Sequence, residues 1–213
     1  MLKIENVTYR YKGADRDVLK NISVGFEAGK LNSIVGPSGS GKTTLLSIMA
    51  GLDRPSGGDV FIGEESLSAL DLDQYRRERI AMVFQAFHLF PLSTAIENVS
   101  FPLEAQGVGK STAREKAKKY LLDVGITEDK HNRYPANLSG GEQQRVAIAR
   151  AIATGAKVIL ADEPTGNLDE ENGKAIISIL KKLAHEEGYC VVIVTHNLEI
   201  AEASDVVYRI KAA

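Results

Sequence analysis

Apolar residues recur at nearly every second position in two segments near the start of the chain, residues 4–9 and 22–26. This spacing is typical of strands with one buried face, and the polar residues between them predict a turn. Further short apolar runs predict five more strands, at 31–35, 59–62, 80–84, 158–161 and 191–194. The last two runs are continuous and rich in β-branched residues, as expected for central parallel strands buried on both faces.

Helical spacing replaces these patterns in the middle of the chain. From about Ala86 to Asn137 the sequence favours helices, and the amphipathic pattern is clearest over 113–124. Gly107, Gly109 and Pro135 interrupt the pattern, so the segment is predicted to form several helices rather than one.

Strands that alternate with helices imply an α/β fold with a mostly parallel core sheet. A crossover helix is predicted over 176–183, between two of the buried strands. The chain is therefore predicted to be one domain. Its β-rich core would comprise 1–85 and 155–213, including an N-terminal antiparallel β subdomain, and a helical subdomain would be inserted over 86–154.

Composition narrows the possible functions. The 213 residues include 26 Lys and Arg against 28 Asp and Glu, a net charge of -2, which gives no sign of a nucleic-acid-binding surface. Cys190 has no second cysteine with which to form a disulfide or a zinc site, and its position beside 191–194 predicts a buried structural thiol. Residues 1–5 do not resemble a signal peptide, and no apolar run approaches the ~20 residues of a membrane span. We therefore expect a cytoplasmic protein that would need a partner to act at a membrane.

A glycine-rich segment with the spacing G-x-x-x-x-G-K-T lies between a predicted strand and a predicted helix. Its residues are Gly36, Pro37, Ser38, Gly39, Ser40, Gly41, Lys42 and Thr43. Glycines let backbone amides turn toward a phosphate, and the helix that follows adds its positive N-terminal end. We expect Lys42 to hold the β- and γ-phosphates, Thr43 to ligate Mg²⁺ and Thr44 to reach the α-phosphate. The alternative, an ordinary glycine-rich turn, is disfavoured by the flanking strand and helix.

Two carboxylates, Asp162 and Glu163, follow the apolar run 158–161. In proteins with a phosphate-binding loop, an aspartate at a strand end holds Mg²⁺. Glu163 would project at the carboxyl end of the same strand, where α/β sheets place their ligands, and could act as general base on an attacking water. The alternative is a solvated acidic pair at the end of a strand.

A third motif, Leu138-Ser139-Gly140-Gly141-Glu142-Gln143-Gln144-Arg145, predicts the start of a helix. Ser139 is the expected N-cap, and Glu142 completes a capping box with it. The two glycines after the cap weaken a helix. They are explained if a phosphate approaches the bare amides at this N-terminus.

These three motifs together resemble the nucleotide-binding subunit of an ATP-binding cassette (ABC) transporter, in order and spacing over essentially the whole chain. The resemblance implies a P-loop NTPase of the ABC ATPase fold. It implies that Tyr11, or its rival Tyr9, stacks on adenine, and that Gln85 touches Mg²⁺ and senses a transmembrane partner. It further implies that His196 faces the γ-phosphate and that Asp169, in the D-loop Asn167-Leu168-Asp169, lies near the nucleotide.

Two features depart from the commonest family pattern. Glu142 stands where most family signatures have glutamine, although glutamate is a familiar variant. The chain also ends at Ala213, where relatives usually continue into a glycine turn and another strand, so no C-terminal regulatory domain is expected.

The resemblance also implies partners. Two subunits would close head to tail around ATP, and Ser139, Gly140 and Gly141 of one would complete the site of the other. The segment 86–91 would dock on a transmembrane permease and hold the protein on the inner face of the membrane. Its apolar residues Phe87, Leu89 and Phe90 suit an interface core, or alternatively pack inside the helical subdomain. No nucleic-acid partner is expected.

Two further runs, 162–169 and 97–103, resemble one branch of the family. That branch includes macrolide-exporter, lipoprotein-releasing and bacitracin-resistance ATPases, which implies export or the transmission of motion through a separate membrane subunit. An importer ATPase has nearly the same motifs and stays an alternative. A soluble ABC ATPase of DNA repair or translation is disfavoured because the chain has no long coiled-coil insertion or second cassette. A small-molecule kinase would leave the Ser139 motif unexplained.

Overall fold

The computed structural model describes residues 1–211 and confirms the predicted fold class. The strands of the described residues are β1 (Leu2–Tyr9), β2 (Leu19–Phe26), β3 (Leu31–Val35), β4 (Gly57–Ile62), β5 (Glu65–Ser66), β6 (Ile80–Phe84), β7 (Val158–Asp162), β8 (Cys190–Thr195) and β9 (Val206–Arg209). The α-helices are α1 (Lys42–Met49), α2 (Leu72–Glu78), α3 (Ala95–Ala105), α4 (Lys110–Asp123), α5 (Gly140–Ala153), α6 (Glu170–His185) and α7 (Leu198–Glu202).

Two compact units make up the chain. The first comprises residues 1–82, 157–163 and the chain from Leu180 onward. The second comprises 83–156 and 164–179, so it includes a segment that the sequence-based division assigned to the core.

In the first unit, an antiparallel sheet has the strand order β2-β1-β4-β5. Leu2 pairs with Phe26 and Ile4 with Val24, so the alternating apolar positions share one face. Leu2 and Ile4 are fully buried there, because the period of two directs every second side chain of a strand into the core.

The second sheet has the order β6-β7-β8-β3-β9, and β3 pairs in parallel with both β8 and β9, as β7 does with β8. Residues 158–161 of β7 and all of β8 are buried, as the continuous apolar runs predicted, and every residue of β3 is buried as well. The register places Val35 opposite Thr195 and Asp162 opposite Val194. The loops after β3, β7 and β8 therefore leave the sheet side by side at its carboxyl edge, which is where ligands bind in such folds.

In the second unit, α3, α4 and α5 pack against one another. Ala113, Ala117 and Leu121 follow one another at the four-residue spacing of a helical face and are fully buried. The start of this region differs from the sequence-based expectation, because residues 86–94 form an irregular loop. Helix α3 begins only after Thr94, which forms a capping box with Glu97. Within residues 1–211, the protein has no helix with the length and apolar character needed to traverse a bilayer.

Candidate functional site

The loop between β3 and α1 is closely packed at two glycines. A Cβ on Gly36 would lie 2.6 Å from the Ile210 carbonyl oxygen and from Ser40 Oγ. Gly41 has φ = 88° and lies against Leu19, where a Cβ would come within 2.7 Å of Cδ2. No residue with a side chain fits either position. Because glycine has no Cβ, the loop backbone can fold tightly and bring its amides close to a ligand.

The Lys42 side chain hydrogen-bonds to the backbone of this loop. Its ammonium donates hydrogen bonds to the carbonyl oxygens of Gly36 and Pro37, at 2.9 and 3.0 Å. Ser38 and Gly39 are exposed at the tip of the loop, whereas Ser40 is buried and its Oγ has no hydrogen-bond partner among the described residues. An unpaired buried hydroxyl beside an ammonium and several amides favours an oxygen-rich anion as the ligand.

Thr43 and Asp162 bring a hydroxyl and a carboxylate together. Thr43 Oγ1, in the first turn of α1, donates a long hydrogen bond of 3.4 Å to Asp162 Oδ1 at the end of β7. Burial raises the pKa of Asp162, and the charge of Glu163 adds to this increase against the opposing effects of Thr43 and Lys42. A partly desolvated carboxylate with one hydroxyl is a donor set that fits Mg²⁺, which takes a few protein oxygens and keeps water and phosphate oxygens for the rest.

Glu163 is held by three hydrogen bonds at the end of β7. Its Oε1 accepts from the backbone N–H of His196 at 3.1 Å and lies 2.7 Å from His196 Nδ1. Its Oε2 accepts from the Thr195 hydroxyl at 3.2 Å. Glu163 also has φ = 46°, a conformation that a residue with a side chain adopts only when its surroundings hold it there. The carboxylate is therefore fixed in position at the carboxyl edge of the sheet.

The structure separates the two tyrosine candidates. Tyr11 is 48% exposed, and its hydroxyl lies 2.8 Å from Thr44 Oγ1 on the first turn of α1. Tyr9 is half-buried and packs against the core of the first unit, with its ring edge-on to that of Tyr11 at 5.0 Å. The ring of Tyr11 is therefore exposed and available for stacking on a ligand. The Tyr11 hydroxyl forms a hydrogen bond with the Thr44 hydroxyl.

The remaining predicted residues lie in the second unit. Ser139 caps α5 as expected: its Oγ accepts from Glu142 N at 3.2 Å, and Glu142 Oε2 accepts from Ser139 N at 2.8 Å. Gly140 and Gly141 form the first turn, and Gly141 lies against Asn172 so closely that a Cβ would clash. Asn172 in turn donates to the carboxylate of Asp169, and these hydrogen bonds hold the Asp169 pKa below its ordinary value.

Gln85 pairs with Asn167 in the same unit. Gln85 Nε2 donates to Asn167 Oδ1 at 3.1 Å, and Asn167 Nδ2 donates back to the Gln85 carbonyl oxygen at 3.0 Å. Gly166 lies under this side chain, where a Cβ would be 2.7 Å from Gln85 Nε2. Gln85 and the D-loop residue Asn167 are therefore joined directly.

Sequence reasoning did not identify Thr195 as a residue of the site. Its hydroxyl contacts Glu163, 32 positions earlier in the chain. A polar residue at the end of an otherwise apolar buried strand was the available signal, but only the β7–β8 register shows which carboxylate it meets.

A phosphate-binding loop, a strand-end carboxylate pair and a histidine at one edge of a parallel sheet define a P-loop nucleotide-binding protein. The family model of the ABC transporter matches residues 19–166. The chain belongs to this family and is an ABC ATPase, which confirms the resemblance seen in the sequence.

Similar proteins support the same assignment. One similar solved structure is the ATP-binding cassette MJ0796 of Methanocaldococcus jannaschii, a dimer in a post-hydrolysis state bound to ADP and Pi. Its TM-score with this chain is 0.89 and its sequence is 41% identical. The match covers 100% of this chain and 96% of that chain. The lipoprotein-releasing system ATP-binding protein LolD of Saccharophagus degradans is 41% identical over 100% of this chain and 95% of its own length. The macrolide export ATP-binding/permease protein MacB of Vibrio parahaemolyticus is 41% identical over 99% of this chain, which spans 33% of that protein.

Proposed function

We propose that two copies of this chain bind two ATP molecules head to tail, each between the P-loop of one copy and the Ser139–Gly141 segment of the other. The observation that carries this proposal is the arrangement at the edge of the parallel sheet, where Glu163 is fixed by His196 beside the P-loop strand. The dimeric form of the similar MJ0796 cassette supports the two-copy arrangement.

In the first unit, the adenine ring stacks on Tyr11, and the phosphates lie in the loop of Gly36, Ser38, Gly39, Ser40 and Gly41. The Lys42 ammonium turns from its carbonyl partners toward the β- and γ-phosphates, which are stronger acceptors because they are charged. Thr44 exchanges its contact with Tyr11 for the α-phosphate. In the second unit, the amides of Gly140 and Gly141 and the Asp169 carboxylate lie on the face that meets the partner copy's nucleotide.

Thr43 and Asp162 are the residues of the first unit that would hold Mg²⁺. The ion would supply positive charge that neutralises the triphosphate. The pKa of Asp162 is raised because its negative charge is partly buried and lies near the charge of Glu163. A bound cation would compensate that negative charge.

Hydrolysis requires a base that removes a proton from the attacking water. Glu163 performs this step because its carboxylate is fixed at the sheet edge and has unused lone pairs. His196 orients Glu163 through Nδ1 and its backbone N–H, and presents the far side of its ring to the γ-phosphate. Thr195 donates a hydrogen bond to Oε2, the second carboxylate oxygen of Glu163. With both oxygens held, the carboxylate keeps one orientation toward the water that it deprotonates.

The coupling surface lies on the second unit. Phe90, Leu92 and Phe101 are 42%, 90% and 54% exposed, whereas Phe87 and Leu89 are half-buried. Arg150 donates to the carbonyl oxygens of Phe87 and His88, both of which have positive φ, and so holds the loop in one shape. We infer that this preformed apolar surface docks on a membrane permease, and that the protein acts at the inner face of the membrane in export or in the transmission of motion. The ATP-binding/permease character of the similar MacB supports this partner.

The test is Glu163→Gln, with Glu171→Gln, at an exposed position of α6, as the matched control. We expect Glu163→Gln to lower the turnover number by at least about 100-fold, the usual contribution of a general base, and to accumulate an ATP-bound dimer. Size-exclusion chromatography with saturating MgATP and a phosphate-release assay measure the two effects. A variant that stays monomeric, or that hydrolyses ATP as the control does, contradicts the proposal.

A further inference from the structure

Glu142 places a carboxylate in the first turn of α5, in the position where family signatures commonly carry a neutral glutamine. The side chain is only 13% exposed, and Oε2 is bound by the Ser139 N–H. The amides of this helix end are the groups proposed above to face ATP. A negative charge in the same turn opposes the binding of an anion there, because it cancels the positive end of the helix dipole.

Lys130 supplies the missing positive charge. Its ammonium lies 2.6 Å from Glu142 Oε1, and its side chain is 29% exposed. Lys130 ends a short 3-10 turn in which its own N–H bonds to Thr127 O at 3.0 Å and its carbonyl oxygen accepts from Arg133 N at 3.0 Å. The backbone of Lys130 is therefore held in place, and the ammonium reaches Glu142 from a fixed position.

Glu142 is ionised in this arrangement. Burial raises its pKa, but the hydrogen bonds from Lys130 and Ser139 and the charge of Arg145 outweigh burial, so that the pKa lies below its ordinary value. Both oxygens of the carboxylate have a partner, one in the cap and one on Lys130. The ion pair thus keeps the cap hydrogen bond that a glutamine would form while removing the net charge that a lone glutamate would add.

We infer that Lys130 is a positioning residue that neutralises Glu142, so that the N-terminus of α5 can accept the anionic phosphates of ATP bound to the other copy. This inference rests on the proposed function. It differs from a purely structural role for the ion pair in one respect: loss of Lys130 weakens the ATP-bound dimer without a matching fall in the melting temperature, and removing the charge of residue 142 restores the dimer.

The experiment compares Lys130→Met, Glu142→Gln and the double variant, each in the Glu163→Gln background. Sedimentation at a series of protein concentrations with saturating MgATP gives the dimer dissociation constant, and thermal unfolding of each variant serves as the readout for structure. The control is Lys118→Met, which removes an ammonium from an exposed ion pair with Glu115 on α4.

We expect Lys130→Met to weaken the dimer about tenfold, the effect of leaving a partly buried carboxylate without its charged partner. Glu142→Gln and the double variant should both dimerise within about threefold of the parent, and Lys118→Met should match the parent. The inference is overturned if the double variant dimerises as poorly as Lys130→Met, or if Lys130→Met matches the control. A parent that does not dimerise at all contradicts the proposed function and removes the basis of this inference with it.

Discussion

Replacing Thr195 by valine tests whether the strand end positions the catalytic carboxylate. Thr195 is fully buried, and valine has nearly the same shape, so the change removes the hydroxyl and creates no cavity. Two hydrogen bonds are lost: the one to Glu163 Oε2 at 3.2 Å, and the one that Thr195 accepts from Asn197 N at 3.0 Å. A hydrogen bond to a charged group contributes roughly 1.5–3 kcal/mol and a neutral one about 1 kcal/mol.

Activity should fall with the loss of the first bond. If about half of its energy is used to orient Glu163, the barrier rises by roughly 0.8–1.5 kcal/mol, which lowers the turnover number by roughly 4- to 13-fold. Stability should also decrease, and a loss of about 2 kcal/mol corresponds to a melting temperature lower by roughly 4–8 °C in a chain of this size. Thr195→Ser keeps the hydroxyl and is the matched control.

The assays are steady-state phosphate release at saturating MgATP and thermal unfolding by circular dichroism. Thr195→Val with the turnover number of Thr195→Ser refutes the positioning argument, even if its melting temperature falls. In that outcome the hydroxyl would serve only to hold Asn197, the N-cap of α7.

Two further predictions concern titratable groups away from the site. Burial raises the pKa of Cys190 to about 11 and leaves the side chain 1% exposed, so a thiol reagent at pH 8 should label the folded protein at least about 100-fold more slowly than the protein in urea. Burial raises the pKa of Asp205, but bonds from His185 and from Leu31 N–H outweigh burial and set the folded pKa below the unfolded value of ~3.9. The stability from these bonds should therefore be complete above about pH 4 and be lost as the pH falls through the lower folded pKa. Urea unfolding of Asp205→Asn between pH 3 and pH 6 should show less acid destabilisation than the wild type, and an unchanged acid dependence would contradict this assignment.

The strands and caps could be predicted from local patterns because local forces determine them. Residues 31–35 and 80–84 are strands with the predicted bounds, since a short, largely apolar run of strand length is a local signal for a buried strand. Ser139 and Glu142 likewise form the expected capping box, which depends on residues only three positions apart.

Residues 86–94 form an irregular loop, although the sequence from about Ala86 onward favours helices. Two nonlocal contacts determine its shape instead: Arg150 binds the carbonyl oxygens of Phe87 and His88, and the buried Asn98 binds both backbone groups of Phe90. No spacing within the segment reveals partners that lie on neighbouring helices.

The same limit applies to the site. Lys42, Asp162 and Glu163 are recognisable because each belongs to a short motif. The contacts that hold these residues cannot be recognised in the sequence. The pairing of Glu163 with His196, for example, spans 33 positions and depends on the register of two parallel strands. The Lys130–Glu142 pair depends in the same way on where a 3-10 turn lies relative to α5.

The capping box at Ser139 has a consequence for the side chains that this position can accept. In capping α5, Ser139 Oγ acts only as an acceptor, for the N–H of Glu142. A hydroxyl has one donor hydrogen besides its lone pairs, so capping leaves that hydrogen for another acceptor. Aspartate would cap the helix as well as serine does, but its carboxylate has no hydrogen to donate and would repel a phosphate. The fold alone would thus tolerate either residue, and under the proposed function it is the nucleotide that requires the hydroxyl.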